Sequence, residues 1–557
     1  MKRSGAVIIT AICPWWLGLY FGWTIAGVFA GCDSSAPTSS SNESAGTSCV
    51  GCKLETAPDG SRFFSKSDAT TAGKDTAGGG ARILPPEKEP EADFGAPEGS
   101  PNFVYIVAPE SDQLVRIAGA SLQVSLIEVS SQPSIVQVVP NQDAAIVLHR
   151  GADEVAIVRS TAKGDTVTSL PVLAYCNTLA IDPGGKYAIV WYDHARAKTG
   201  DAVGSFQALT LVRLSDGKDE SVSISTGFRP SRVRFTSDGS AALVVTDDGI
   251  NIIQLASAKA GDIAAQVFVS LKPLAKIERE VLTTDDGTWA IVRETGKAAL
   301  IVVHLASKKI VEVPLGATPT DLDLVPKSNA ALAVLRDAGV VALLNLPSVP
   351  TDTFAVQLTS MGDLTAGLAR VTDDGKSALL YTSVAGIEQV ATLDLASGTV
   401  VAMPIKKTVD NVLMVPNARK ALLVHRPEKG PNYDDPTEKF VDDSHGYTLL
   451  DLETGYTKLV LTPVKPAEIA FAAEPLKAWL LLPDPGNISH IVQEAALKSF
   501  QTVDRSLGSS PLHARFLTTA GVLAVTQKHP SGRITFLDAK TGIAKTVTGY
   551  ELNGKVK

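Results

Sequence analysis

The stretch FTSDGSAALVVTDDGINIIQLASA, residues 235–258, reads as strand, tight turn, strand, tight turn, strand. Versions of it recur along the chain, and that recurrence constrains the fold more than any other feature. Taking Ala242 as reference, equivalent strand centres fall at Val104, Ala145, Ala188, Ala290, Ala331, Ala378, Ala421, Ala478 and Val522. Successive references are 41 to 48 residues apart except for two gaps of 54 and 57, which is the signature of a repeat architecture. A chain of 557 residues also exceeds one ordinary hydrophobic core, so several domains or an array of units is required.

The copies share chemistry as well as spacing. Most references follow a turn such as PNQD, DPGGK, SDGS, DDGT, DDGK or PNARK, where Asn, Asp and Gly permit the positive φ that a hairpin turn demands. These acidic residues read as turn formers rather than metal ligands. After the turn comes an unbroken apolar run, as in AAIVLH, YAIVWY, AALVVT, WAIVRE and AWLLLP. Such a strand must be covered on both faces. Trp191, Trp289 and Trp479 lie in these runs and read as core. Each unit adds an earlier alternating strand (SRVRFT, TDLDLV, HARFL) and later ones (GYTLLDLETG, RITFLDAKTG). Four strands per unit of about 45 residues is the pattern of an all-β fold, a β-propeller of four-stranded blades. About ten units exceed the usual four to eight, so one ring and two smaller rings in tandem both remain open. The first unit, from Asn102, lacks a visible initial strand, and the tail YELNGKVK is the expected source of it. HIVQEAALKSF, near 490–500, also has the spacing of a short helix.

In FTSDGSAALVV followed by INIIQL, and VTDDGKSALLY followed by VATLDLASG, the repeats resemble the YVTN-type and WD40-like propeller blades of bacterial envelope proteins. The resemblance covers about residues 100–557. It implies a fold and carries no catalytic residue.

The N-terminus is of another kind. Lys2 and Arg3 precede an apolar stretch from Ala6 to Gly31 that ends in VFAGC. This is similar to a bacterial lipoprotein signal, which implies a signal peptide over 1–31 and a lipid on Cys32 that holds the protein to an envelope membrane, on the periplasmic or the cell-surface side. An uncleaved membrane helix is the other reading, since 26 residues exceed the roughly 20 that span a bilayer. Residues 32–98 are rich in Ser, Gly and Pro and read as a disordered tether ahead of a propeller over 99–557. Within the tether, Cys49 and Cys52 form a C-x-x-C pair without the βαβ context of a redox motif or the further ligands of a zinc site, and a small disulfide is expected.

Lys+Arg number 51 against 59 Asp+Glu with no long basic run, which argues against a nucleic-acid partner. No H-E-x-x-H, P-loop or G-x-S-x-G is present. In a propeller, the loops after the second strands open on one face. There stand His149, Arg150, Asp193, His194, Asp247, Arg336, His425, Arg426 and His529, the candidate binding face. Two long insertions, 193–207 and 425–446, fall there too and account for the wide gaps. Loops on a rigid scaffold are where binding residues gather. The expected function is therefore a non-enzymatic binding scaffold for an envelope protein or glycan. Its alternative is a metal-dependent envelope enzyme using a ring of His149, His194, His425 and His529. No cofactor is expected, although Asp434, Asp435, Asp442 and Asp443 are weak calcium candidates, since clustered carboxylates could supply several of the six to eight oxygens that ion needs.

Overall fold

Aliphatic residues at consecutive positions form strands that water cannot reach from either side, and nine of the ten references occupy the second position of such a strand, Val522 the first. In the computed structural model the described residues are 94–550 apart from 216, 268–278 and 484–489, together with the backbones of Cys52–Thr56 and Arg62–Lys66. Cys32, the signal segment, Cys49 and residues 551–557 lie outside them. Within the segment read as tether, Cys52–Thr56 pairs antiparallel with Arg62–Lys66.

The propeller consists of ten four-stranded antiparallel sheets, each built from four strands in chain order. Blades 1 to 10 span 98–128, 133–171, 178–225, 232–267, 279–314, 321–360, 368–404, 409–462, 468–506 and 511–548. The stretch that opens the sequence reading contributes the first three strands of blade 4, Arg232–Phe235, Ala241–Thr246 and Gly249–Gln254. Residues 490–500, which also suit a helix by spacing, contain the third strand of blade 9, His490–Ala496, because Val492 to Ala495 must be covered by the sheets on both sides.

The turns between first and second strands use the expected conformation. Gly239, Gly287 and Gly375 have φ of 68°, 68° and 69°, and Asn141 and Asn417 have 59° and 56°. Thr236, Thr284 and Thr372 donate their hydroxyls to Asp238, Asp286 and Asp374 at 2.6 Å. The same hydroxyls accept the backbone N–H of Ala241, Trp289 and Ser377 at 3.0–3.2 Å. The acidic turn residues are thus occupied in holding the turn.

Ten buried apolar clusters fill the ten blade interfaces. Trp479 of blade 9 stacks on Phe516 of blade 10 with ring centroids 5.5 Å apart, and Trp289, Trp479 and Trp191 are all buried. The last cluster joins Leu517, Val522 and Ile534 of blade 10 to Val104, Ile106 and Val115 of blade 1, so the array is one closed ring. First strands of neighbouring blades approach one another and line the centre, while fourth strands such as Gln501–Ser506 are largely exposed and outermost.

Closure differs from the expectation. Blade 1 takes its first strand from Glu98–Gly99, just ahead of it in the chain, and not from the tail. Pro101 and the Gly/Pro-rich residues before it leave only two residues for pairing, which hides the strand from any periodicity. The seam is sealed by packing: the Phe94 and Tyr550 rings lie 5.1 Å apart, Gly95 N–H donates to Val107 O at 3.0 Å, and Thr519 and Ala520 N–H donate to Pro101 O at 3.0 and 3.1 Å.

Candidate binding face

Loops from second to third strands and from one blade to the next leave the same end of the ring. The two insertions occupy second-to-third loops of blades 3 and 8, between Trp191 and Ala208 and between His425 and His445. Blades 3 and 8 are five apart in a ring of ten, so the insertions stand on opposite sides of the mouth and do not form one site.

The blade 8 insertion contains the one α-helix of the described residues, α1 (Pro436–Asp443). Asp435 caps it, accepting from Thr437 and Glu438 N–H at 2.8 and 3.2 Å, and Pro436 sits at its first position. The buried Lys407 donates to Val441 O and Asp442 O at its C-terminal end, at 2.6 and 3.0 Å. Asp442 turns inward and accepts Gly430 N–H at 2.7 Å, and Asp443 pairs with Lys439 at 2.6 Å and Tyr433 at 3.0 Å. Of the calcium candidates, Asp435, Asp442 and Asp443 are therefore engaged in shaping the loop, and Asp434 is exposed. Among the described residues, no group of three or more His, Cys, Asp or Glu is placed to hold a metal ion.

In blade 3 the insertion begins with Asp193, which caps the short turn His194–Arg196 through Ala195 N–H at 3.0 Å and is itself buried, its carboxyl pushed above the usual range by that burial. Arg150 reaches from blade 2 to Asp201 at 3.1 Å and pins the loop. Between these anchors the loop presents rings. His194 lies 5.7 Å from Phe206, Phe206 lies 5.6 Å from Phe228 of the following loop, and Arg229 covers Phe228 at 5.3 Å. Phe228 is 40% exposed, and Tyr175 and Val203 beside these loops are 44% and 56% exposed. Tyr175 and Arg229 both adopt positive φ, 59° and 51°, a conformation that non-glycine residues take up at a cost.

The remaining predicted residues are scattered. His425 is fully buried: its Nδ1 donates to Thr408 O at 2.9 Å and its Nε2 accepts from Thr448 Oγ1 at 2.8 Å. His149 is buried beside Glu154 O, so neither of these two histidines faces outward. His529 is half-buried and bonded through Nδ1 to Ser531, and His194 is exposed. The four proposed ring members belong to blades 2, 3, 8 and 10. Asp247 pairs with Arg229, Arg426 bridges Asp410 and Glu428 at 3.0 and 2.9 Å, and Arg336 projects into solvent next to Asp337.

Ionisable side chains on the first strands form a further group that the repeat pattern does not single out. On blade 6, Asp321 and Asp323 lie at i and i+2 with Arg370 of blade 7 at 4.0 and 3.8 Å. Burial, and then the neighbouring Asp321, push Asp323 up to about 7. At the seam, Glu468 accepts from His513 Nδ1 at 3.0 Å and from Arg515, which also reaches Glu98 at 3.5 Å. The available signal was a charge at alternate positions of DLDL and HAR, in strands read only as alternating.

No family model matches the chain, and no curated protein matches it. Among solved structures it is similar to dihydro-heme d1 dehydrogenase NirN in complex with DHE, at 14% identity over 62% of this chain and 71% of that one, TM-score 0.40. It is similar to a eukaryotic initiation factor at 13% identity over 75% and 96%, TM-score 0.44. It is similar to the Cps50 (Swd1) β-propeller domain of Myceliophteria thermophila at 13% identity over 57% and 96%, TM-score 0.31. Likenesses of this size carry nothing about function.

Proposed function

We propose that this chain is a binding scaffold of a bacterial envelope, tethered to a membrane through lipid on Cys32, whose propeller holds an envelope protein or glycan on its loop-rich face. The observation that carries the reading is the ring cluster in which exposed His194 and Phe228 flank half-buried Phe206 on two loops fixed by rigid blades. Rings that remain accessible while a large apolar core is buried elsewhere are a common mark of a binding surface. The VFAGC sequence supports the tether, and a random coil of the 61 residues from Asp33 to Asp93, ahead of the seam residue Phe94, would reach on the order of 45 Å.

The test uses the full chain as bait against detergent-solubilised envelope, beside one copy with 194–206 shortened to a tight turn and another with 427–444 shortened. A partner held by the full chain and lost only with the blade 3 deletion is the expected result. The same material captured by all three would exclude the face.

A further inference from the structure

We infer that a cavity at the seam of the ring is a second binding site, for a small organic anion that carries a carboxylate or a phosphate beside an apolar body. It lies between the last blades and the first, apart from the aromatic patch on blades 3 and 4, and does not depend on that reading. Its volume is about 440 Å³, within the range of small-molecule sites.

Six separate stretches of chain build it: Phe94 and Gly95 ahead of blade 1, Ile106 of blade 1, His490 of blade 9, residues 508–513 leading into blade 10, residues 526–532 of blade 10, and Tyr550 after the last strand. A Cβ on Gly532, whose φ is 76°, would overlap the Tyr550 ring, so only glycine lets that ring lie where it does. The Gln527 side chain is buried and accepts Ser509 N–H at 3.1 Å, which fixes the loop carrying Ser509 and Ser510.

The chemistry of the lining selects the ligand's charge. Among the described residues, none in the lining is a carboxylate. The two carboxylates behind the wall, Glu468 and Glu98, are taken up by Arg515 and His513. Lys528 lines the cavity and, among the described residues, makes no ion pair or side-chain hydrogen bond. His529 Nδ1 accepts from Ser531 N–H at 3.3 Å, so in the neutral ring its proton is on Nε2, leaving that nitrogen a donor. Among the described residues, the buried Nδ1 of His490, also in the lining, has no partner. An oxyanion satisfies the Lys528 ammonium and the His529 Nε2–H, and charge-assisted hydrogen bonds are the strong ones. Phe94, Leu512 and Tyr550 offer apolar surface beside it for the rest of the molecule.

Calorimetry on the full chain in detergent tests this with phenyl phosphate and benzoate as probes, and benzylamine as the cation of similar size. Saturable binding of one equivalent of either anion, with none of benzylamine, is expected. Lys528→Glu should weaken it at least tenfold, and His529→Gln several-fold, with melting temperatures unchanged because both side chains border solvent. Absence of saturable binding by both anions, equal binding of benzylamine, or unchanged affinity in both variants would overturn the site.

Discussion

A histidine at the inner end of a buried strand has to be neutral, and His425 is held so from both sides. Thr408 O can only accept, which places the proton on Nδ1, and Thr448 Oγ1 donates to Nε2. Burial pushes the ring down to about 4, against 6.5 for the free side chain. A folded-state value below the unfolded one means that only the unfolded chain gains a proton between pH 6.5 and 4. The contribution is therefore complete above about 6.5 and lost on acidification, on the order of 3 kcal/mol over that interval. Denaturant unfolding of His425→Gln at pH 7 and pH 4 should show the difference from the parent chain shrinking by about that amount. Parallel losses at both values would contradict it. The position of His425 in KALLVH marked it as near the loop face, but its partners lie 17 and 23 residues away, Thr408 just ahead of one flanking strand and Thr448 within the other, and nothing in the run reveals that they enclose it.

At the scale of elements, the two insertions were legible as gaps in the repeat, whereas their fixings were not. The helix in the blade 8 insertion is eight residues long with a polar composition, and tertiary contacts secure it where propensity alone would leave it marginal. Lys407 supplies two of those contacts and meets the negative end of the helix dipole. Replacing it as Lys407→Met keeps the volume and leaves two helix-end carbonyls without their donor, a cost of about 1–3 kcal/mol confined to the insertion. Limited trypsin digestion should then cut faster at Lys429 and Lys439, with the ring's melting temperature little changed. Equal cutting rates would show that the helix is held by something else. The aromatic patch was illegible for a related reason: Phe206 and Phe228 are 22 residues apart on loops of different connections, and only the ring's geometry brings them to 5.6 Å.

For the whole molecule, a period near 45 residues and apolar second strands were enough to define ten four-stranded units, because each sheet is sandwiched by its neighbours and must repeat the same pattern. Closure was the part that periodicity could not carry. A two-residue strand, Glu98–Gly99, and a seam cluster around Tyr550 finish the ring, and neither has an echo in the other nine units. First strands could likewise be placed but not read for charge, since Asp321, Glu468 and Arg515 find their partners only across blade boundaries. The same rigidity makes the face a platform: ten interfaces are buried, so loops at the mouth can carry exposed rings without loss of the core. The most direct measurement is the affinity of the captured partner for the full chain and for its Phe206→Ser/Phe228→Ser form, with Phe440→Ser on the opposite insertion as comparison. We predict at least a tenfold loss for the double variant and none for Phe440→Ser. An unchanged affinity for the double variant would contradict the account.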